Sequence, residues 1–121
     1  MKIVNPVGKK GEDLAVQYLI EKGYKILERN FRKRNGEIDI VALQNGVLVF
    51  IEVKTRTSIK YGTPFEAVTY FKLKSLMKTA ELYKMSHKNL PDAMRIDAIA
   101  ILLDANMHAE KIEHMENISG F

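Results

Sequence analysis

The apolar positions of this chain change period several times, and each change marks an element. From residue 8 to about 22, Leu14, Ala15, Tyr18 and Leu19 recur at helical spacing, and Gly23 follows as a helix stop. Residues 24–31 predict a first strand, half-exposed because Lys25, Glu28 and Arg29 interrupt it. A turn at Arg34-Asn35-Gly36 leads into two short apolar strands joined by Gln44-Asn45-Gly46, and Asn-Gly favours a two-residue hairpin turn. Residues 60–64 read as a loop. Thr63-Pro64-Phe65-Glu66 reads as a helix start, with Thr as cap, Pro at the first position and Glu at the third. Thr69 caps a longer segment running to about residue 85. There Leu73, Leu76, Met77, Ala80 and Tyr83 form one stripe, with Lys72, Lys74, Lys78 and Glu81 off it. Residues 94–103 are apolar enough for a strand buried on both faces, broken by Arg95 and Asp97, and residues 111–118 predict a last edge strand. The order is αβββαβ(β), an α/β fold with a mixed sheet flanked by helices.

Counting from the Asn45-Gly46 turn gives a register. Gln44 pairs with Val47, Asp39 falls opposite Glu52, and Glu37 falls opposite Lys54, with all four charges on one face. Like charges directly opposite each other destabilise a sheet, so a positive partner between the acids is expected. Mg²⁺ and similar hard cations take oxygen ligands and keep several waters, and Asp39 and Glu52 can supply such oxygens. The main-chain carbonyl of Val53 is a further candidate ligand. Lys54 could orient a water, stabilise developing phosphate charge, or lose a proton. Glu12 borders the buried face of the first helix and could reach the same centre, whereas Asp13 points toward solvent. A plainer reading stays open: Glu-x-Lys opposite an acid also describes a surface ion-pair ladder contributing under ~1 kcal/mol per pair. Against it, both strands are otherwise apolar on both faces, and a buried cluster of acids is costly without a compensating partner.

Composition narrows the class. A chain of 121 residues fits one domain, residues 1–121, and 46% hydrophobic against 28% charged residues excludes a disordered chain. No apolar run approaches the roughly 18 residues of a membrane span, and residues 1–6 lack a signal-peptide core. The lack of cysteine excludes disulfides, thiolate zinc sites and a cysteine nucleophile. A cytoplasmic protein is expected. The net charge of +4 is modest, but its distribution is informative. Arg29, Arg32, Lys33 and Arg34 precede the acids, Lys54, Arg56 and Lys60 follow, and Lys72, Lys74, Lys78 and Lys84 come later, a pattern suited to a polyanion held at many points. Arg32, Lys33 and Arg34 could grip phosphates or form a solvated turn; Arg56 continues the Glu52 and Lys54 face. Asp97, beside Arg95, reads as a structural hydrogen-bonding residue, and His87, His108 and His114 as surface residues.

These residues carry a resemblance. A helix-borne acid, an Asp after a turn and Glu-x-Lys on the next strand resemble the metal-dependent PD-(D/E)-x-K nucleases with a restriction-endonuclease-like fold. More closely, Gly11-Glu12 through Gly23-Tyr24, Asn30-Phe31-Arg32, Gly36-Glu37-Ile38-Asp39, Glu52-Val53-Lys54-Thr55-Arg56, Gly62 through Glu66-Ala67-Val68 and Arg95-Ile96-Asp97 resemble the bacterial YraN family, to which an endonuclease activity is ascribed. The likeness spans about residues 8–101, and extends more distantly to archaeal Holliday-junction resolvases. It implies Asp39 and Glu52 as metal ligands, Lys54 as the catalytic lysine, and Glu12 as the acid completing the site or binding a second ion. Ile38 stands where the superfamily has Pro, a departure that belongs to the YraN form. Glu37 remains a ligand, a partner of Lys54 or a group supporting the ligands.

The leading expectation is a Mg²⁺- or Mn²⁺-dependent DNA endonuclease, selective for branched or otherwise structured DNA rather than for sequence, and pairing as a homodimer to cut two strands. The alternatives are a nucleic-acid-binding or adaptor protein of the same fold with little catalysis, and an interaction domain in which the acids form buried ion pairs with Lys54 and Arg56.

Overall fold

The computed structural model describes residues 5–34, 36–57 and 69–119. Asn5 caps the first helix, α1 (Pro6–Glu21). Its side chain accepts the N–H groups of Val7 and Gly8, and Pro6 fills the first turn, where its missing N–H costs nothing. Gly23, at φ +88°, ends the helix in the left-handed region. Strands β1 (Lys25–Lys33), β2 (Gly36–Gln44) and β3 (Val47–Arg56) then form an antiparallel meander. Helix α2 (Tyr70–Ser86), capped by the Thr69 hydroxyl, lies in the crossover to β4 (Met94–Leu103), which runs parallel to β3. Strand β5 (Ala109–Met115) pairs antiparallel with β4. Spatial order equals chain order, β1-β2-β3-β4-β5.

The helices cover opposite faces of this sheet. On one, Ala15 and Leu19 of α1 pack on Ile40, Ala42, Val49, Ile51, Ile99 and Ile101. On the other, Leu76, Ala80 and Tyr83 of α2 pack on Phe31, Ile38, Val41, Phe50 and Ile96. Strands β3 and β4 are covered on both sides, which explains their nearly unbroken apolar sequence. The order αβββαββ and the mixed sheet flanked by helices are those predicted for a restriction-endonuclease-like domain. No helix among the described residues is long and apolar enough to cross a membrane.

Boundaries move slightly. The first strand runs Lys25–Lys33 rather than 24–31, and the last runs Ala109–Met115 rather than 111–118. The last strand stops early because the N–H of Asn117 is drawn to the Asp97 carboxylate and that of Ile118 to the Ile96 carbonyl. The predicted loop at 60–64 and helix start at Thr63-Pro64-Phe65-Glu66 lie outside the described residues.

The hairpin register holds for half its length and then fails. Asn45 and Gly46 both have positive φ (49° and 75°), Gln44 pairs with Val47, and the ladder continues to Ile40 opposite Ile51. There it ends, so the predicted pairings of Asp39 with Glu52 and Glu37 with Lys54 are not formed. The cause is a local break in alternation. Ile38 and Ile40 are two residues apart yet pack on opposite faces of the sheet. Beside them on β1, between the paired positions Arg29–Ile40 and Phe31–Ile38, Asn30 takes the left-handed φ of 56°. Two adjacent strands are therefore deformed on the row that carries Asp39.

Candidate functional site

Each acid of the predicted group is set by a different element. On α1, Gly11 lies against β3 so closely that an added Cβ would collide with the hydroxyl, methyl and Cβ of Thr55. This approach brings Glu12 to the deformed row. Arg29 Nη2 and Nε lie 3.1 and 3.2 Å from Glu12 Oε1, and Asn30 Nδ2 donates to the same oxygen at 3.1 Å. The unusual backbone of Asn30 thus places an amide on the helix-borne acid. The Glu12 side chain is 14% exposed, whereas Asp13 is 43% exposed and shared by Arg29 and Lys9, in line with its expected solvent-facing position.

Asp39 sits where β2 parts from β3, and its Oδ2 accepts the main-chain N–H of Val53 at 2.7 Å. A carboxylate here replaces the carbonyl that a continuing ladder would offer. Burial pushes the Asp39 carboxyl up to about 7; the nearby charge of Glu52 adds to this, the Val53 N–H opposes it, and Glu12 and Glu37 contribute further. The neighbouring acids thus add to what burial does.

Glu52 is buried, with its side chain 5% exposed, and it faces the α2 side of the sheet. Its Oε1 lies 3.1 Å from Lys54 Nζ and 3.6 Å from Lys72 Nζ. The four charges do not project from one face, as the register predicted. Asp39 lies with Glu12 in a cleft of about 250 Å³ that Gly8, Val53, Lys54 and Arg56 also line, while Glu52 is tied to Lys72 of α2. Lys54 borders both sides.

Of the remaining predicted residues, only Arg56 lines this cleft. Glu37 pairs with Arg32, its cross-strand neighbour, at 3.3 Å rather than with Lys54. Lys33 lies over the Phe31 ring, with Nζ 5.6 Å from the centroid, and Arg34 is exposed. Arg56 donates to the Thr55 carbonyl at 2.9 Å and lines the cleft. Sequence reasoning missed Asn30 and underrated Lys72. A polar residue amid the strand pattern was the available signal for Asn30; Lys72, one turn from the Thr69 cap and off the apolar stripe, gave none that separates it from other helix lysines.

A second polar cluster lies elsewhere, on the α1 side of β4 and β5. Asp97 is wholly buried and accepts from Arg95 Nε (3.0 Å) and Nη2 (3.2 Å), from the N–H of Asn117 (2.9 Å), and lies 2.7 Å from His114 Nε2. Burial alone would raise this carboxyl, but His114, Arg95 and the Asn117 N–H outweigh it and hold Asp97 below its ordinary value. The structural role expected for Asp97 is the one it has. His114 is not the surface residue expected, since its side chain is 7% exposed and its Nδ1 lies 3.1 Å from the Tyr18 hydroxyl. It alternates inward with Ile112, opposite Ile99, and that period was the overlooked signal.

Among the described residues, Asp97, His114 and Glu116 form a group whose ligand atoms all lie within 4.8 Å of one another, and it could hold a metal ion. As it stands, the Asp97 oxygens are taken by four hydrogen bonds and the Arg95 guanidinium lies against them. Glu12, Asp39 and Glu52 are not drawn together to that degree.

The profile of the Uncharacterised protein family UPF0102 matches residues 11–101. A UPF0102 protein of Caldanaerobacter subterraneus subsp. tengcongensis is 45% identical over 120 residues, 97% of this chain and 98% of its own length. One of Geobacter metallireducens is 50% identical over 111 residues (92% and 89%), and one of Thermodesulfovibrio yellowstonii 49% identical over 112 residues (92% and 93%).

Proposed function

Since this chain belongs to the Uncharacterised protein family UPF0102, the YraN family its motifs resemble, we propose from the chemistry of its site that it is a cytoplasmic, Mg²⁺- or Mn²⁺-dependent DNA endonuclease. The observation that carries this reading is the placement of the Asp39 carboxyl beside Glu12 in one cleft, fixed by the Val53 N–H, with burial and the charges of Glu52, Glu12 and Glu37 opposing its ionisation. Such an accumulation of negative charge is unfavourable for folding and is relieved by a cation. The donors suit a hard divalent ion: the oxygens of Asp39 and Glu12 lie in the cleft with Val53 on its wall, and Glu52, which faces α2 and is held by Lys54 and Lys72, would join them by turning its side chain. Bound there, the ion would act as a Lewis acid on a phosphodiester and make a coordinated water more acidic.

The chain's own groups do the rest. The Val53 N–H fixes one oxygen of Asp39, so the carboxylate is oriented before anything binds. Lys54, held 3.1 Å from Glu52, presents an ammonium at the cleft that donates to a phosphate oxygen as charge develops on it, or holds the attacking water. Arg56 on the cleft wall, with Arg32, Lys33 and Arg34 on the neighbouring strand and turn, grips flanking phosphates without reading bases. This favours recognition of DNA shape over sequence.

The test is to incubate the protein with branched and linear DNA and Mg²⁺ or Mn²⁺, beside Asp39→Asn and Lys54→Ala. Cleavage lost in both variants is the expected result, and equal cleavage by wild type and Asp39→Asn overturns it. A second reading has an observation in its favour: Glu12 is held by Arg29 and Asn30, and Glu52 by two lysines. DNA bound with no cleavage under any of these conditions would establish a binding protein of nuclease fold.

A further inference from the structure

Helix α2 begins with two aromatic residues that take no part in its core. Its buried residues are Leu76, Thr79, Ala80 and Tyr83, whereas Phe71 is 80% and Tyr70 67% exposed. Exposed Phe and Tyr side by side are not needed for folding, and they mark a contact surface. Their rings lie 5.6 Å apart at 74°, presenting faces in two directions. The surroundings are basic. Lys74 Nζ lies 5.4 Å from the Tyr70 centroid, and Lys72, the next residue after Phe71, reaches Glu52 at 3.6 Å. Lys74 and Lys78 follow Tyr70 at successive four-residue steps, along a groove of about 500 Å³ that they share with Ser75, Met77 and Glu81.

We propose that Tyr70 and Phe71 are a stacking platform for unpaired nucleobases, so that the DNA engaged here carries a single-stranded segment beside the site. The proposal rests on the nuclease reading for what becomes of the strand, and not for the binding itself. Charge selects the occupant, because an apolar peptide would bury two rings against a row of lysines, whereas a nucleic-acid strand satisfies both. Its bases cover the rings, and its phosphates meet Lys74 and Lys78. Stacking also distinguishes strand states. Bases inside a duplex already have both faces covered, while splayed bases have faces free for Phe71 and Tyr70, whatever their sequence. Lys72 is the physical link, one residue from the platform and in contact with the buried acid of the site.

The test is fluorescence anisotropy in EDTA, so that no strand is cut, with a forked duplex bearing single-stranded arms and a blunt duplex of equal length. Tyr70→Ala with Phe71→Ala weakens binding of the fork by about tenfold or more and binding of the blunt duplex less than twofold. Phe71→Trp keeps the fork preference. Equal weakening on both DNAs, or none on the fork, overturns the proposal. So does sedimentation showing a dimeric wild type and a monomeric double variant, which would make the patch an interface between copies. Failure of the nuclease reading shows itself separately, as no cleavage in Mg²⁺ or Mn²⁺ with the fork preference intact.

Discussion

The Asp39 carboxylate accepts the Val53 main-chain N–H at 2.7 Å at the point where the β2–β3 ladder ends. A side chain has taken the place of a carbonyl, and the strand with that side chain loses its alternation on the same row. The acid is fixed in position by the sheet and at the same time prevented from pairing across it. Burial and three neighbouring acids then make its charge unfavourable.

Asp39 should therefore lower stability as pH rises. Its folded value of about 7 stands above the ordinary 3.8, so between these two values the unfolded chain releases the proton first and stability falls with increasing pH. Below pH 4 both states are protonated and there is no effect; above about 7 the full loss is present. A shift of this size corresponds to at most a few kcal/mol. Asp39→Asn keeps an acceptor for the Val53 N–H and removes the charge. The expected outcome is a higher melting temperature than wild type at pH 8, by several degrees, a smaller excess at pH 5, and near-equality only at about pH 4. Mg²⁺ or Mn²⁺ should raise the wild-type melting temperature at pH 8 and leave the variant unmoved. A variant less stable than wild type at pH 8 would contradict the charge argument.

Gly11→Ala tests the contact that places Glu12. The new Cβ would collide with the Thr55 side chain, and α1 must shift away from β3 to admit it. Overpacking of this kind costs about 1–3 kcal/mol, readable in urea unfolding. Thr55→Ala in the same chain removes the hydroxyl and methyl but leaves a Cβ 2.7 Å from the new one, so recovery should be partial. Full recovery would place the strain elsewhere.

Asp97→Asn addresses the second cluster. The substitution leaves the half-buried Arg95 beside a neutral amide and puts an amide group among the donors His114 and Asn117 N–H at a wholly buried position, a loss of about 2–4 kcal/mol once the exposure of Arg95 is allowed for. Because the folded Asp97 value is depressed, its contribution is present above the ordinary 3.8 and is lost as pH falls through the lower folded value. Acid unfolding of the wild type below pH 4 should be less steep in the variant. With its oxygens occupied by hydrogen bonds, the network stands without an ion, so EDTA should leave the wild-type melting temperature unchanged; a clear drop would mean that Asp97, His114 and Glu116 hold a metal.

Much of this was legible in the chain. Helix α2 and strand β4 follow directly from the stripe through Leu76, Ala80 and Tyr83 and from the apolar run at 94–103, and the hairpin turn follows from Asn45-Gly46. The residues of the candidate site could be named because charges on doubly covered strands stand out. Their arrangement could not be read, because counting a register assumes unbroken alternation, and alternation breaks at Asp39. Such a break depends on a carboxylate capturing one N–H and on Asn30 taking positive φ, neither of which has a period. His114 differs: its alternation with Ile112 was present in the sequence, but the partner that draws it inward, Asp97, lies 17 residues away.

Asn30 allows the backbone and side-chain parts of the site to be separated. At φ 56° a residue with a Cβ is strained, Asn less than most and Gly not at all, while its Nδ2 donates to Glu12 at 3.1 Å. Asn30→Gly keeps the left-handed turn and loses the donor, whereas Asn30→Ala loses both. The first should unfold within about 0.5 kcal/mol of wild type, and the second should be lower by about 1 kcal/mol more. Because both variants lose the amide that helps fix Glu12 while Arg29 still holds it, both should bind divalent ions modestly less tightly by calorimetry and to a similar degree. If Asn30→Gly binds ions as wild type does while Asn30→Ala does not, the residue acts through the shape of β1 and not through its amide.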